Sequence, residues 1–100
     1  KNTMLGKSTN SEKTIERTLC ELVKAKGGLC IKLVPMFFAG LPDRLILLPG
    51  KQICFVETKS TGDKARKLQK IVHKMIMDLG FDVYVADSIE AVKNIVNSYK

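Results

Sequence analysis

The chain has no apolar run near the length of a membrane span, no secretory apolar core, no low-complexity tract and no internal repeat. Crossing a bilayer as a helix takes about 20 apolar residues, so a helical membrane span is excluded and a soluble, intracellular protein is expected. Cysteine is scarce and odd in number. Cys20, Cys30 and Cys54 lack Cys-x-x-Cys spacing, which argues against both a disulfide framework and a zinc site and leaves reduced, mostly core thiols. Histidine occurs once, as His73, in a predicted helix; it reads as a surface or phosphate-facing side chain with no catalytic role. Acidic residues are also few, 10 against 17 lysines and arginines. The resulting net charge of +7 and pI near 9.5 point to a polyanionic partner.

What is present suffices for one small domain. One hundred residues with 45% hydrophobic content can bury a single core, and a domain of this size gains from oligomerisation. Residues 1–8 read as a flexible arm and 9–100 as the domain. Ile15, Leu19, Leu22 and Val23 recur at helical spacing in a first helix over about 10–26, stopped by Gly27-Gly28. Leu29 to Val34 reads as a strand ended by Pro35. A helix over about 64–79 is expected to bury Leu68, Ile71, Val72, Met75, Ile76 and Leu79 and to stop at Gly80. Val83 to Ala86 forms a further strand, and Asp87 or Ser88 caps a last helix with Val92, Ile95 and Val96 inward.

The chemistry lies between these elements. Arg44 to Leu48 is closed by Pro49-Gly50 and followed by Gln52-Ile-Cys-Phe-Val-Glu-Thr-Lys59, so the two runs should pair as an antiparallel hairpin. Alternation along the second strand puts Glu57 and Lys59 on the face of Ile53 and Phe55, a charged pair ending an apolar row. Asp43, at the mouth of the hairpin, could then stand beside Glu57. Two adjacent carboxylates repel, and a hard divalent cation relieves that repulsion while keeping positions open for water and phosphate oxygens. Lys59 could hold an attacking water or a transition-state oxyanion, giving a metal-dependent phosphodiesterase.

Gly40-Leu41-Pro42-Asp43-Arg44, Phe55-Val56-Glu57-Thr58-Lys59 and Leu68-Gln69, in that order and spacing, resemble the VRR-NUC (virus-type replication-repair nuclease) branch of the PD-(D/E)XK nuclease superfamily. The resemblance runs from about Ser11 to Val96 and is to the compact, stand-alone form carried by bacteriophages. It implies an α/β, restriction-endonuclease-like αβββαβ core, a central mixed four-stranded sheet flanked by helices. It implies that Asp43 and Glu57 hold Mg²⁺ or Mn²⁺, with the Thr58 carbonyl as a further ligand, Lys59 as the catalytic lysine and Gln69 beside the active site. The family's first-helix glutamate is matched by Glu16, with Glu12 one turn earlier as competitor; a capping box from Thr9 to Glu12 would give Glu12 another job. Lys64, Arg66, Lys67, Lys70 and Lys74 become the candidate DNA contacts.

The function so implied is a metal-dependent DNA endonuclease selective for branched DNA such as Holliday junctions, in the cytoplasm of a host cell if phage-encoded. A monomeric flap or nicking nuclease and a non-catalytic basic nucleic-acid-binding module are the alternatives. Resolving a four-way junction needs two sites and hence a two-fold homodimer. The apolar loop Met36-Phe37-Phe38-Ala39, where polar residues would be expected near DNA, is read as core packing first, dimer contact next and base wedge last. The last helix is the other candidate dimer surface.

Overall fold

In the computed structural model, which describes residues 10–34, 36 and 38–100, the elements run α1 (Glu12–Ala25), β1 (Leu29–Lys32), β2 (Arg44–Leu48), β3 (Gln52–Thr58), α2 (Lys67–Asp78), β4 (Asp82–Ala86) and α3 (Ile89–Asn97). The four strands form one mixed sheet in the order β1-β2-β3-β4, antiparallel except for the parallel β3/β4 pair. This is the α-β-β-β-α-β-α order read from the periodicities. The capping differs: Ser11 accepts from the Thr14 N–H and starts α1. Thr9, to which the sequence assigned that task, lies outside the described residues, as do the arm, Pro35 and Phe37.

Strand alternation splits the sheet chemically. Ile46, Leu48, Cys54, Val56 and Ala86 point to one side, where Ile15, Leu19 and Val23 of α1 and Val92, Ile95 and Val96 of α3 complete the core. At about 25 cal/mol per Å² of apolar area, this cluster is the main source of stability. The apolar stripe of α3 is consumed here, which removes the last helix as a ready dimer surface. Cys54 is buried in the same core, while Cys20 and Cys30 are free thiols with sulfurs 2.8 Å apart at the α1/β1 seam.

The opposite side is different. By register, Leu29, Leu47 and Ile53 form one row across the strands and Ile31, Leu45, Phe55 and Val83 the next, with Glu57 and Val85 beyond them. α2 meets this sheet at β4, so Leu29, Ile31 and Ile53 on the other strands are exposed, and Val85 at the far end of β4 is exposed as well. α2 begins at Lys67, three residues later than its apolar pattern suggested, and buries only Val72 and His73. Leu68, Ile71, Met75 and Leu79, expected inside, are all at least half exposed. Met36 and Phe38 are likewise exposed rather than packed as core.

Candidate active site

The loop before β2 is brought to α2 by a glycine. Gly40 has φ +90°, and a Cβ there would stand 2.7 Å from Val72 Cγ2 and 3.1 Å from Leu68, a separation no side chain tolerates. Clamped in this way, and with Pro42 buried, the chain delivers Asp43 to the start of β2. The Asp43 carbonyl accepts from the Leu33 N–H at 2.8 Å, and its Oδ2 accepts from both the Thr58 N–H and the Thr58 hydroxyl, each at 2.9 Å. Asp43 and the end of β3 are thereby tied together across the hairpin.

Glu57, one residue before Thr58, points to the sheet face that carries α2 and is 1% exposed. Its Oε2 lies 3.3 Å from Lys59 Nζ and accepts from Gln69 Nε2 at 2.9 Å. Gln69 does two jobs at once, because its Oε1 also accepts from the Arg66 N–H at 2.8 Å and so fixes the first turn of α2. The structure therefore brings Asp43, Glu57, Thr58, Lys59 and Gln69 together, as expected. Burial, and then the Asp43 carboxylate, push the Glu57 carboxyl above its ordinary value, with Lys59 pulling the other way.

The first-helix glutamates sort differently from the expectation. Glu16 Oε2 accepts from Lys32 Nζ at 2.8 Å and from Arg44 Nε at 2.7 Å. Burial raises its carboxyl, but these two cations outweigh burial and hold it below the ordinary range. Glu16 is thus engaged at the α1/β1/β2 seam rather than turned to Asp43. Glu12 is the glutamate that senses the site: partial burial and then the Asp43 carboxylate raise its carboxyl, and Lys59 opposes them. One helical turn separates the two, and only the strand partners Lys32 and Arg44 decide which faces the carboxylates.

His73 corrects the sequence reading outright. It is 5% exposed, and its Nε2 lies 3.9 Å from Glu57 Oε1. Both atoms are buried without a hydrogen-bond partner. Burial, then Lys59, lowers the imidazole below its ordinary value. The available signal was its position four residues after Gln69, which places both on one helix face.

Lys64, Arg66, Lys67 and Lys70 are exposed, whereas Lys74 is paired with Asp78 at 2.9 Å. A groove of about 430 Å³ lined by Asp63, Lys64, Lys70, His73, Met77 and Asp87 runs past α2. A second cavity of about 340 Å³, walled by Leu33, Leu41, Leu68 and Arg66, has Asp43 and Gln69 at its edge. Among the described residues no three His, Cys, Asp or Glu side chains gather into a metal cluster. A cation here would therefore take further oxygens from main chain and water, as Mg²⁺ commonly does. The unpartnered Glu57 Oε1, beside a second carboxylate, fits such an ion.

Comparison with known proteins points to one family. The family model described as "VRR-NUC domain" matches residues 7–90. A protein named "Putative nuclease p44", from Acyrthosiphon pisum secondary endosymbiont phage 1, is 40% identical over 77 residues, which are 77% of this chain and 83% of that protein. A solved structure titled "VRR_NUC domain" superposes with a TM-score of 0.83 at 29% identity, covering 91% of this chain and all of the other.

Proposed function

The chain belongs to the VRR-NUC domain family, and from that premise we propose that it is a divalent-metal-dependent DNA endonuclease that acts on branched DNA, such as a four-way junction, as a two-fold homodimer. The observation that carries the catalytic reading is the convergence of Asp43, Glu57, Lys59 and Gln69 where β2 begins and β3 ends. Two carboxylates beside a polyanion are unfavourable unless a cation accompanies them. A binding module would have no use for them.

Asp43 and Glu57 would hold Mg²⁺ or Mn²⁺, with Glu12 from α1 as the glutamate nearest in electrostatic terms and the Thr58 carbonyl as a further oxygen. The ion would supply charge neutralisation at the phosphate and acidify a bound water. Thr58 keeps Asp43 in place through its N–H and hydroxyl. Gln69 and Lys59 grip the same oxygen of Glu57, which fixes the carboxylate's rotation and leaves its other oxygen free. Lys59, only 12% exposed at its side chain, carries an ammonium that can hold the attacking water or an oxygen of the five-coordinate phosphorus. Lys64, Arg66, Lys67 and Lys70, clear of internal ion pairs among the described residues, would take the flanking phosphates.

The dimer reading rests on the uncovered apolar face. Leu68, Ile71, Met75 and Leu79 make one stripe on α2, and Met36 and Phe38 are exposed in the loop that α2 clamps. Monomers seldom leave so much contiguous apolar surface in water, and a second copy covers it with a self-complementary patch. One chain supplies one set of Asp43, Glu57 and Lys59, while resolving a junction requires two nicks.

Cleavage assays on four-way, flap, single-stranded and linear duplex DNA, each with Mg²⁺, Mn²⁺ or EDTA, test the reading. Light scattering is expected to give twice the 11.1 kDa chain mass, reduced to the monomer by Ile71→Lys with Met75→Lys. A monomer that cuts flaps and junctions equally would sink the resolvase reading and leave the nuclease. Cleavage undiminished in EDTA would sink the metal site.

A further inference from the structure

Asp43 and Arg44 are neighbours in the chain, and strand alternation sends their side chains apart. Asp43 goes to Thr58 and the site, whereas Arg44 shares the face of Ile46 and Leu48 and meets α1. There its guanidinium is held in place. Nε donates to Glu16 Oε2 at 2.7 Å and Nη1 to the Cys30 carbonyl at 3.1 Å, on a side chain 20% exposed. A guanidinium carries five N–H donors in a rigid fork. Two are spent on holding it, and the side chain that carries the rest lines a cavity of about 370 Å³ together with Lys13, Glu16, Arg17 and Cys20. Lys13 and Arg17 are exposed and take part in no ion pair among the described residues. They stand four residues apart on α1, where like charges work against the helix and an anion between them would relieve the repulsion. Lys32 shares Glu16 Oε2 with Arg44, so four cations gather around one carboxylate.

Resting on the nuclease reading, we propose that this cavity is a second phosphate-binding site. It takes backbone phosphates of the DNA on the side of the scissile bond away from α2, with Lys13, Arg17 and Arg44 as the contacts and Glu16 with Lys32 as the brace that aims Arg44. The planar fork of arginine matches phosphate oxygens. The place fits as well. Lys67 and Lys70 lie with α2 on one side of the sheet and the cavity lies with α1 on the other, while the site touches both helices, through Gln69 to Glu57 and through the field of Asp43 at Glu12. From Glu12 to Glu16 is one helical turn, about 5.4 Å, and a strand advances about 3.4 Å of axis per phosphate, so the cavity falls one or two phosphates from the reacting one. Holding the strand on both sides of the cut fixes the scissile phosphate against the carboxylates. An acidic peptide could meet the same cations, but only a polyanion already seated at Asp43 and Glu57 must continue past them.

Anisotropy titrations of a labelled duplex in EDTA, where cleavage is stopped, test the site across a range of salt. Lys13→Ala with Arg17→Ala, both at exposed positions and checked for fold by circular dichroism, is expected to lower the log-log salt slope by roughly 0.9 per lost contact, for all sequences alike. In the wild type, amine-reactive labelling read by mass spectrometry is expected to show Lys13 protected by DNA, while Lys51 in the β2/β3 turn, at the opposite end of the hairpin from the site, stays open. An unchanged slope, or Lys13 labelled as readily with DNA as without, overturns the second site and leaves the carboxylate site standing. Equal protection of Lys13 and Lys51 makes the coverage unspecific and overturns it too. Protection by inorganic phosphate at the phosphate concentration of the DNA makes the cavity a free-anion site and overturns the backbone assignment. No DNA binding by the wild type overturns the nuclease reading and this site with it.

Discussion

Asp43→Ala and Asp43→Asn should separate the structural task of this carboxylate from its chemical one. Asp43 Oδ2 is the acceptor for two donors on Thr58, the N–H and the hydroxyl, and Thr58 is fully buried. Alanine leaves both unsatisfied. Each orphaned buried donor costs about 1–3 kcal/mol, so the pair is worth about 3 kcal/mol after the loop relaxes. For a domain of this length about 1 kcal/mol moves Tm by roughly 4–8 °C, and Asp43→Ala should therefore melt roughly 12–24 °C below the wild type in metal-free buffer. Asparagine keeps an oxygen in the same place. Its weaker, uncharged hydrogen bonds are offset by relief of the repulsion that Asp43 exerts on Glu57, so Asp43→Asn should stay within about 1 kcal/mol of wild type. Both variants should lose cleavage, and Asp43→Asn should bind DNA in EDTA as well as or better than wild type. Calorimetry alongside a junction-cleavage assay reads all of this. Equal stability of the two variants would refute the Thr58 argument, and wild-type cleavage by a folded Asp43→Asn would refute the site.

Glu57 has its carboxyl raised above the ordinary 4.5, so its ionisation costs folding stability, and that cost sets in as pH rises through the raised value. Glu57→Gln, which is expected to abolish cleavage, should therefore gain Tm relative to wild type between pH 4.5 and 8 in EDTA; a gap independent of pH would contradict the buried-carboxylate assignment. Replacing Lys67 and Lys70 by alanine should weaken binding to all DNA sequences alike and reduce the log-log salt slope by roughly 0.9 per lost phosphate contact, while Lys74→Ala, already paired with Asp78, should change it less. Glu12→Gln should cost cleavage and little stability, whereas Glu16→Gln, which weakens the Arg44 and Lys32 pairs, should cost about 1 kcal/mol and spare most cleavage; the reverse pattern would return Glu16 to the metal. Gly40→Ala should lose about 2 kcal/mol, from left-handed strain and the 2.7 Å approach to Val72, and should reduce cleavage by moving Asp43; an unchanged melting curve would show that the loop is not held as described.

Local patterns in this chain were legible wherever one physical rule acted alone. The β2/β3 hairpin follows from Pro49-Gly50 between apolar runs, and its register places Glu57 and Asp43 near each other without further information. α1 buries Ile15, Leu19 and Val23 and α3 buries Val92, Ile95 and Val96, as their periodicity indicates, with Leu22 only partly buried. The choice that stayed open in α1 and the misreading of His73 share another cause. Glu12 and Glu16 lie on the same helix face, and the choice between them depends on Lys32 and Arg44, which reach α1 only after β1 and β2 have paired. His73 looked like a surface residue because a lone histidine among lysines has no local signature of burial. Its environment is made by Glu57, 16 positions earlier in the chain.

Helix α2 is where sequence logic and function diverge most, because a two-faced helix was expected and three faces are present. Gln69, Val72, His73 and Ile76 point inward and serve Glu57 and the clamp on Gly40. Lys67, Lys70 and Lys74 make a basic edge. Leu68, Ile71, Met75 and Leu79 make an apolar edge that this chain leaves in water. An apolar periodicity of 3.6 residues reports that a stripe is to be covered, and not by what. In a 100-residue domain the core side of the sheet is already filled by α1 and α3, so the stripe on α2 is open to a contact that the described residues do not supply. If that contact is a second copy, the helix carrying the interface is the helix carrying Gln69, His73 and the basic edge. Dimerisation would then set the spacing between two active sites and the path of the DNA joining them through a single element.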